Sequence, residues 1–164
     1  MPAKRLKDFL DREGVKYSSI AHSPAYTARD TAQAAHVPGK DFAKTVMVDI
    51  DGRLAMAVLP APEKLDLARM KEAVGGKHVR LALESEFERQ FPGCEPGAMP
   101  PFGNLYGMAV YVAESLSADE EIAFNAGSHA ELIRMRYQDF ERLVQPIKAR
   151  LSAASRPVSK VEGG

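Results

Sequence analysis

The sequence predicts a single mixed α/β domain whose sheet contains antiparallel strands, rather than a doubly wound parallel sheet. Its 164 residues suit one domain with one hydrophobic core. Helical and strand patterns are intermixed along the chain, with no internal repeat and no obvious linker. At least one pair of strands reads as a hairpin, which joins antiparallel neighbours. The domain is expected to span residues 1–151, and the small, polar segment 152–164 is expected to be disordered.

The clearest local signal is the Asp51-Gly52 pair, which is typical of a type I′ turn. It separates two strands rich in apolar and β-branched residues, at 43–50 and 54–59. Periodicity and end signals predict further strands at 17–22, 78–83, 106–113, 121–124 and 132–135, the last two paired across a turn at 125–128. The predicted helices cover 3–12, 27–36, 66–74, a short segment capped by Ser85 and ending at 91, and 137–151 with an interruption at Pro146.

Composition excludes several classes of protein. The single cysteine, Cys94, rules out an intramolecular disulfide and gives no basis for structural zinc. The charged N-terminal segment lacks the apolar region of a signal peptide, and no stretch reaches the roughly 18 apolar residues of a membrane helix. A cytoplasmic protein without a membrane partner is therefore expected. The formal net charge of +0 argues against broad nucleic-acid binding, but it allows a few local phosphate contacts.

The segment Pro92 to Gly103, PGCEPGAMPPFG, has an unusual composition, with four prolines and three glycines among its 12 residues. Such a segment fixes the path of the backbone while it prevents regular pairing. Glycines also allow backbone N–H groups to approach a ligand closely, as in an oxyanion site. The alternative is a rigid surface loop without a ligand.

Lys44 lies near the start of the first hairpin strand, on the same face as Val46, Val48 and Ile50. Two interpretations are open. A lysine at the end of a strand can extend its ammonium group to water along its aliphatic stem. It can also direct a cation into a cleft, where it holds a phosphate or polarises a carbonyl.

The remaining candidate residues carry weaker signals. His129 follows the predicted turn and is either a general base, a substrate contact or a histidine facing water. Cys94 has no evident partner base, which disfavours a nucleophilic role. His22, His36 and His78 form no His-x-x-x-His pair, so no metal centre is expected. The sequence also lacks the usual nucleotide-binding and serine-hydrolase motifs.

Three segments together resemble the YbaK family, also called the bacterial prolyl-tRNA synthetase-associated or INS-like editing domain. They are FAKTVMVDIDGRLAMAVLP at 42–60, EPGAMPPFG at 95–103 and FNAGSHAELIRMRYQDFERL at 124–143. Their order and spacing agree with the family, and the resemblance covers nearly the whole chain except the tail. It implies a mixed α/β fold with a barrel-like, mostly antiparallel sheet surrounded by helices.

The resemblance also implies an activity, which is hydrolysis of the ester between an amino acid and the terminal adenosine of a tRNA. No metal or organic cofactor is expected. The family's lysine falls on Lys44, and its Gly-x-x-x-Pro motif falls on Gly97 and Pro101. Lys44 would anchor the terminal nucleotide or the ester, and backbone N–H groups around Gly97 and Ala98 would hold the carbonyl oxygen. The residues expected to contact the substrate are Tyr26, Thr45, Met47, Met99, Pro101, Asn125, Gly127 and His129.

This mechanism needs no protein nucleophile, because an aminoacyl ester is already reactive. A rate enhancement of about 10³–10⁵ requires only about 4–7 kcal/mol, which positioning and an oxyanion site can supply. The attacking group is water, or a hydroxyl or side chain of the substrate itself.

The expected function is therefore that of a free-standing deacylase that acts in trans on a mischarged tRNA. Its expected partner is the aminoacyl-tRNA acceptor end, and an aminoacyl-tRNA synthetase stays open as a second partner. The alternative is a non-catalytic module that binds an aminoacylated or nucleotide end. Members of the family remove alanine, cysteine, serine or threonine, and the sequence ranks neither these substrates nor the oligomeric states.

Overall fold

The computed structural model describes residues 3–152. The predicted disordered tail therefore lies, apart from Ser152, outside the described residues. The helices are α1 (Lys4–Arg12), α2 (Ala28–Ala34), α3 (Leu67–Val74), α4 (Glu84–Phe87), α5 (Glu114–Ser117) and α6 (Tyr137–Val144). The strands are β1 (Tyr17–Ala21), β2 (Ala43–Ile50), β3 (Arg53–Pro60), β4 (Val79–Leu81), β5 (Ala109–Ala113), β6 (Glu121–Ser128), β7 (Glu131–Arg136) and β8 (Ile147–Ala149). None of the helices within this range is long and apolar enough to span a membrane.

The strands form two sheets, as a mixed α/β fold requires. One sheet has the order β1-β7-β6 and is antiparallel throughout. The other has the order β4-β2-β3-β5-β8, in which β5 runs parallel to both of its neighbours. An isolated parallel bridge between Phe42 and Ala123 connects the two sheets. Within residues 3–152 the recorded strand order does not close into a ring, so the barrel-like arrangement stays a prediction.

Side-chain alternation along the β2–β3 hairpin divides the core into two layers. Met47, Met56 and Val58 belong to the larger hydrophobic cluster. Their sequence neighbours Val48 and Ala57 belong to a second cluster on the other face of the sheet. Burial of one large apolar side chain contributes about 1.5–3 kcal/mol, so both faces of this hairpin stabilise the fold.

A group of aromatic rings lies inside the larger cluster, next to the proline-rich loop. The Phe102 ring centroid lies 5.4 Å from that of Phe124 and 5.5 Å from that of Phe140, and all three side chains are fully buried. Since the loop ends in this group, its C-terminal half is anchored in the core although it forms no strand.

The strongest turn and cap predictions are confirmed. Asp51 and Gly52 have φ values of 50° and 90°, as a type I′ turn requires, and β2 pairs with β3 in full register. The Thr27 side chain accepts a hydrogen bond of 3.0 Å from the Asp30 N–H at the start of α2. These signals act within a few residues, so the sequence specifies them locally.

Two predictions near the C-terminus are wrong. Residues 125–128 are not a turn, because they continue β6, and the turn lies at His129 and Ala130. The turn-like residues instead form a bulge, where Gly127 has a φ of 100°. The helix predicted to 151 ends at Val144, after which β8 pairs in parallel with β5. Pro146 explains this ending, since proline disfavours helical geometry in the residue before it.

Two boundaries also differ from the prediction. Ser85 does not cap α4, because Leu83 precedes its first turn and the Glu86 carboxylate accepts the Leu83 N–H at 2.6 Å. The strand predicted from 106 begins at Ala109, because residues 106–108 extend the turn that starts in the short 3₁₀ segment Gly103–Leu105. The N–H groups of Tyr106 and Met108 both donate to the Gly103 carbonyl, and Gly107 has a φ of 69°.

Candidate functional site

The proline-rich loop contains a tight turn at residues 95–98 that is hydrogen-bonded to the bulge of β6. Inside the turn, the Ala98 N–H donates to the Glu95 carbonyl at 3.0 Å. The Glu95 N–H donates to the Gly127 carbonyl at 2.8 Å, and the Gly127 N–H donates to the Ala98 carbonyl at 2.9 Å. The turn and the bulge are therefore held together from both sides.

Gly97 is the residue of this turn that needs glycine, because its φ is +84°. Its backbone N–H makes no hydrogen bond to any residue from 3 to 152, whereas that of Ala98 already closes the turn. Of the two amides predicted to hold an oxyanion, the one of Gly97 is thus the available donor. A role for the Ala98 amide requires the turn bond to open or to be shared.

His129 fastens the turn from the opposite side. Its side chain is only 9% exposed, so the alternative of a histidine facing water is wrong. The ring Nε2 lies 2.7 Å from the Pro96 carbonyl oxygen, which can only accept, so Nε2 carries the proton. The other ring nitrogen, Nδ1, is buried and has no partner in the described part of the chain. In this geometry the ring is a donor to the loop rather than a general base.

Tyr26 adds an exposed aromatic surface beside His129. The two ring centroids lie 4.8 Å apart, and 74% of Tyr26 is exposed. The Ala25 N–H also donates to the His129 carbonyl at 3.0 Å, which fixes the segment before α2 to the β6–β7 turn. An exposed aromatic ring in a fixed position can stack on a nucleobase.

Lys44 is half-buried at the start of β2. Its Nζ donates to the Ala61 carbonyl at 3.1 Å. Burial lowers the pKa of Lys44 because the charged form loses hydration; the nearby Glu63 carboxylate opposes this shift, and Lys64 adds to it. An ammonium group has three N–H donors, so the remaining two are available to a ligand.

The Phe42–Ala123 bridge relates Lys44 to the strand that carries the bulge. Lys44 follows Phe42 by two residues on β2, and Asn125 follows Ala123 by two residues on β6. Because the bridge is parallel, the two residues lie at corresponding positions. The Ala61 N–H donates to the Phe42 carbonyl at 2.9 Å, so the same residue fastens the bridge and the lysine. The Asn125 Oδ1 is buried and has no hydrogen-bond partner in the range 3–152. It is an acceptor that a bound substrate can satisfy.

The other predicted contact residues differ in exposure. Met47 and Met99 are 5% and 4% exposed and belong to the same core cluster as Ala126. Pro101 is also buried, whereas Thr45 is partly exposed and pairs with Val58 of β3. Direct contacts therefore join Tyr26 to His129, and join the turn at 95–98 to both His129 and Gly127. Lys44 and Asn125 are related through the strand register.

An open groove of about 590 Å³ lies between α2 and the segment after β3. It is adjacent to Lys44, because its lining includes Ala61, whose carbonyl accepts the lysine. Arg29 also lines the groove, and its side chain is in no ion pair among the described residues. The groove thus offers an unpaired cation next to the half-buried lysine.

Cys94 does not fit a nucleophilic role. Burial raises the pKa of its thiol, which reduces the fraction present as thiolate. Its sulfur lies 4.0 Å from the Tyr106 hydroxyl, and no histidine contacts it within the described range. No cluster of three or more histidine, cysteine or acidic side chains suited to a metal ion occurs in residues 3–152.

Two features of this region escaped the sequence analysis. The Glu95 carboxylate accepts the His129 backbone N–H at 2.7 Å, although the two residues are 34 positions apart. Asp119 lies close to Asp41, and burial, together with this neighbouring carboxyl group, raises the pKa of Asp119 to about 7. The Lys40 Nζ lies 3.0 Å from Asp41 Oδ1 and 3.8 Å from Asp119 Oδ1. No local pattern signals either contact, since each joins distant segments.

The site therefore combines a half-buried cation, an available backbone amide and an exposed aromatic ring on a mixed α/β fold. This combination suits a substrate that contains a polar ester or phosphate next to a nucleobase.

The family model for the aminoacyl-tRNA editing domain matches residues 22–143 of the sequence, and this range includes every candidate site residue. The chain belongs to this family. It is accordingly an aminoacyl-tRNA deacylase, a hydrolase that acts on aminoacyl-tRNA.

Individual relatives agree with this assignment. The multifunctional Ser/Thr-tRNA deacylase ProXp-y of Escherichia coli (strain K12) is 27% identical over 149 residues, which cover 87% of this chain and 88% of the relative. A crystal structure of a protein proposed to be a trans-editing enzyme for prolyl tRNA synthetase is 24% identical, with a TM-score of 0.78, and the match covers 93% of this chain and 98% of the other. The crystal structure of hypothetical protein APE2540 is 21% identical in sequence, with a TM-score of 0.81, and the match covers 91% of this chain and 99% of the other. The two structures establish the similarity of the fold.

Proposed function

We propose that the chain acts in trans in the cytoplasm, and that Lys44 and the Gly97 amide are its catalytic groups. The observation that carries this proposal is the pair of unused donors at the site. Lys44 commits one of its N–H groups to Ala61, and the Gly97 N–H has no partner in the described residues. The free-standing ProXp-y deacylase, which spans nearly the same length, supports action in trans.

The proposed reaction is hydrolysis without a covalent protein intermediate. A water oxygen attacks the ester carbonyl carbon, and the carbonyl oxygen becomes an oxyanion held by the Gly97 N–H. The bond between this carbon and the ribose oxygen then breaks, and the ribose oxygen takes up the proton that the attacking water releases. The products are the free amino acid and the tRNA with its terminal hydroxyl restored. Lys44 holds the terminal nucleotide or the ester in position.

The acceptor end is proposed to lie along the groove between α2 and Ala61. The terminal base stacks on Tyr26, and Arg29 contacts a backbone phosphate. An Arg29→Ala variant is then expected to raise KM for aminoacyl-tRNA and to weaken its salt dependence, with little change in kcat. The proposed protein partner is the synthetase that produces the mischarged tRNA. The two sheets are proposed to form a barrel-like frame around the site.

The amino-acid pocket is proposed to be formed by Met99, with Asn125 accepting a hydrogen bond from the substrate. Thr45 and Met47 alternate with Lys44 along β2 and lie on the opposite face of the sheet, so their proposed contribution is to the packing behind the pocket. Met47 and Met99 are themselves buried members of the main core, which limits the room for a substrate side chain. We therefore propose that the substrate carries a small amino acid, from the group alanine, cysteine, serine and threonine. A pocket of this kind separates side chains that differ by one methylene by only about 1–3 kcal/mol.

The decisive experiment measures deacylation of tRNAs charged with these four amino acids by the wild type and by Lys44→Ala. Lys71→Ala is the matched control, because Lys71 is an exposed lysine of α3. We expect hydrolysis of at least one species, its loss in Lys44→Ala and its retention in Lys71→Ala, with similar thermal unfolding of all three proteins. Tight binding of an aminoacyl-tRNA without hydrolysis would instead identify a binding module.

A further inference from the structure

We propose that Glu95 is a positioning residue for deacylation, because its carboxylate holds the turn that presents the Gly97 amide. The inference rests on the proposed function, and it assigns a role to a side chain that does not itself contact the substrate. It concerns a clasp formed by Glu95, Pro96 and His129, in which the side chain of each partner binds the backbone of the other segment.

The first half of the clasp is the bond from the His129 backbone to Glu95. The His129 N–H donates to Glu95 Oε1 at 2.7 Å. A charged acceptor makes such a bond stronger than a neutral one. Since His129 begins the turn between β6 and β7, Glu95 ties the proline-rich loop to the end of a core strand.

The second half of the clasp is the bond from the His129 ring to the loop. The ring Nε2–H donates to the Pro96 carbonyl at 2.7 Å. The carbonyl of Pro96 and the N–H of Gly97 belong to the same planar peptide group. Fixing this carbonyl therefore fixes the direction of the Gly97 N–H, which points the opposite way across that plane.

The geometry indicates that Glu95 affects the orientation of the Gly97 N–H more than the stability of the fold. Glu95 is exposed and belongs to none of the hydrophobic clusters, so its removal leaves the core intact. The backbone bonds between the turn and Gly127 also remain. What is lost is the bond that fixes the His129 backbone N–H. The ring that holds the Pro96 peptide is then positioned less tightly, by the Ala25 bond to the His129 carbonyl and by the contact with Tyr26. A displaced oxyanion donor lowers the rate of the chemical step while ground-state binding is retained.

The test compares Glu95→Ala and Glu95→Gln with the wild type in deacylation of the tRNA species that the wild type hydrolyses best. Glutamine keeps an oxygen that can accept the His129 N–H, whereas alanine does not. Glu88→Ala is the matched control, because Glu88 is exposed, lies in the short 3₁₀ turn Glu88–Gln90 before the proline-rich loop, and makes no ion pair within residues 3–152. Amide hydrogen exchange at His129 reports the clasp directly.

We expect Glu95→Ala to lower kcat by about 10- to 100-fold with KM changed less than about threefold, as for a catalytic group displaced by roughly 1 Å. Glu95→Gln should restore most of kcat, and faster exchange at His129 should accompany the alanine variant alone. A wild-type kcat in Glu95→Ala overturns the proposal, as does an equal loss in Glu95→Gln or in Glu88→Ala. A wild type that hydrolyses no aminoacyl-tRNA overturns the proposed function, and this role with it.

Discussion

Replacement of Gly97 by alanine tests whether the conformation of the loop creates the oxyanion donor. At a φ of +84° an L-residue is strained by about 1–2 kcal/mol relative to glycine. Space does not limit the substitution, because the added Cβ would lie 3.5 Å from His129 Cε1, an ordinary van der Waals distance. The strain is therefore confined to the backbone, and the chain can relieve it only by rotating the peptide groups next to residue 97.

Gly93 provides a matched control within the same loop. Its φ is also +84°, and a Cβ there would have no atom within 4 Å. Both alanine variants should lose about 1–2 kcal/mol of unfolding free energy, which lowers Tm by about 2–4 °C for each kcal/mol in a chain of this size. Gly97→Ala alone should also lower kcat by about 10²–10³, the usual effect of losing one oxyanion donor.

The assay is single-turnover deacylation at saturating enzyme, with thermal unfolding measured on the same samples. Single turnover isolates the chemical step from product release. Full activity in Gly97→Ala would refute the assignment of its amide. An equal loss of kcat in Gly93→Ala would show that general destabilisation, rather than the position of one donor, controls the rate.

Three further predictions follow from other parts of the fold. Burial lowers the pKa of Lys44 from its usual 10.5, so kcat/KM should begin to decline with rising pH before pH 10.5 is reached, once spontaneous ester hydrolysis is subtracted. The residual activity of Lys44→Arg should lack this decline, because arginine stays charged. The pKa of Asp119 is raised from 3.8 to about 7, so the folded state binds a proton that the unfolded state has lost, and the free energy of unfolding measured in urea should decrease as the pH rises across this window. Asp119→Asn should flatten that slope, and an unchanged slope would contradict the raised pKa of Asp119. Gly103→Ala would place a Cβ 2.5 Å from the Met108 carbonyl oxygen and 2.7 Å from Val110 Cγ2, which should cost about 1–3 kcal/mol in denaturant unfolding.

The parts of the fold that depend on neighbouring residues were predictable. The β2–β3 hairpin follows from Asp51-Gly52, and the cap of α2 follows from Thr27. The prediction of a turn at 125–128 was wrong because asparagine and glycine favour both turns and bulges, and only the pairing with β7 distinguishes the two. Pro146 marked the end of a helix correctly, but the strand after it depends on the distant edge of β5.

The candidate site divides in the same way. Lys44 and Gly97 stood out because a lysine on an apolar strand and a glycine in a proline-rich loop are unusual in themselves. Glu95 gave no such signal, since an exposed glutamate is ordinary until the chain brings His129 to it. The roles of these residues in catalysis are predictions that the variants above test.

The bridge between Phe42 and Ala123 has a consequence for the evolution of substrate preference. Lys44 belongs to one sheet, and the bulge that carries the Gly97 turn belongs to the other. The width of the space between them is therefore set by how the sheets pack near Phe42, which is fully buried. A core substitution there is expected to shift one half of the proposed site against the other while every proposed pocket residue stays the same. Related chains can diverge in the size of the amino acid they accept through interior packing, which a comparison of pocket residues alone would miss.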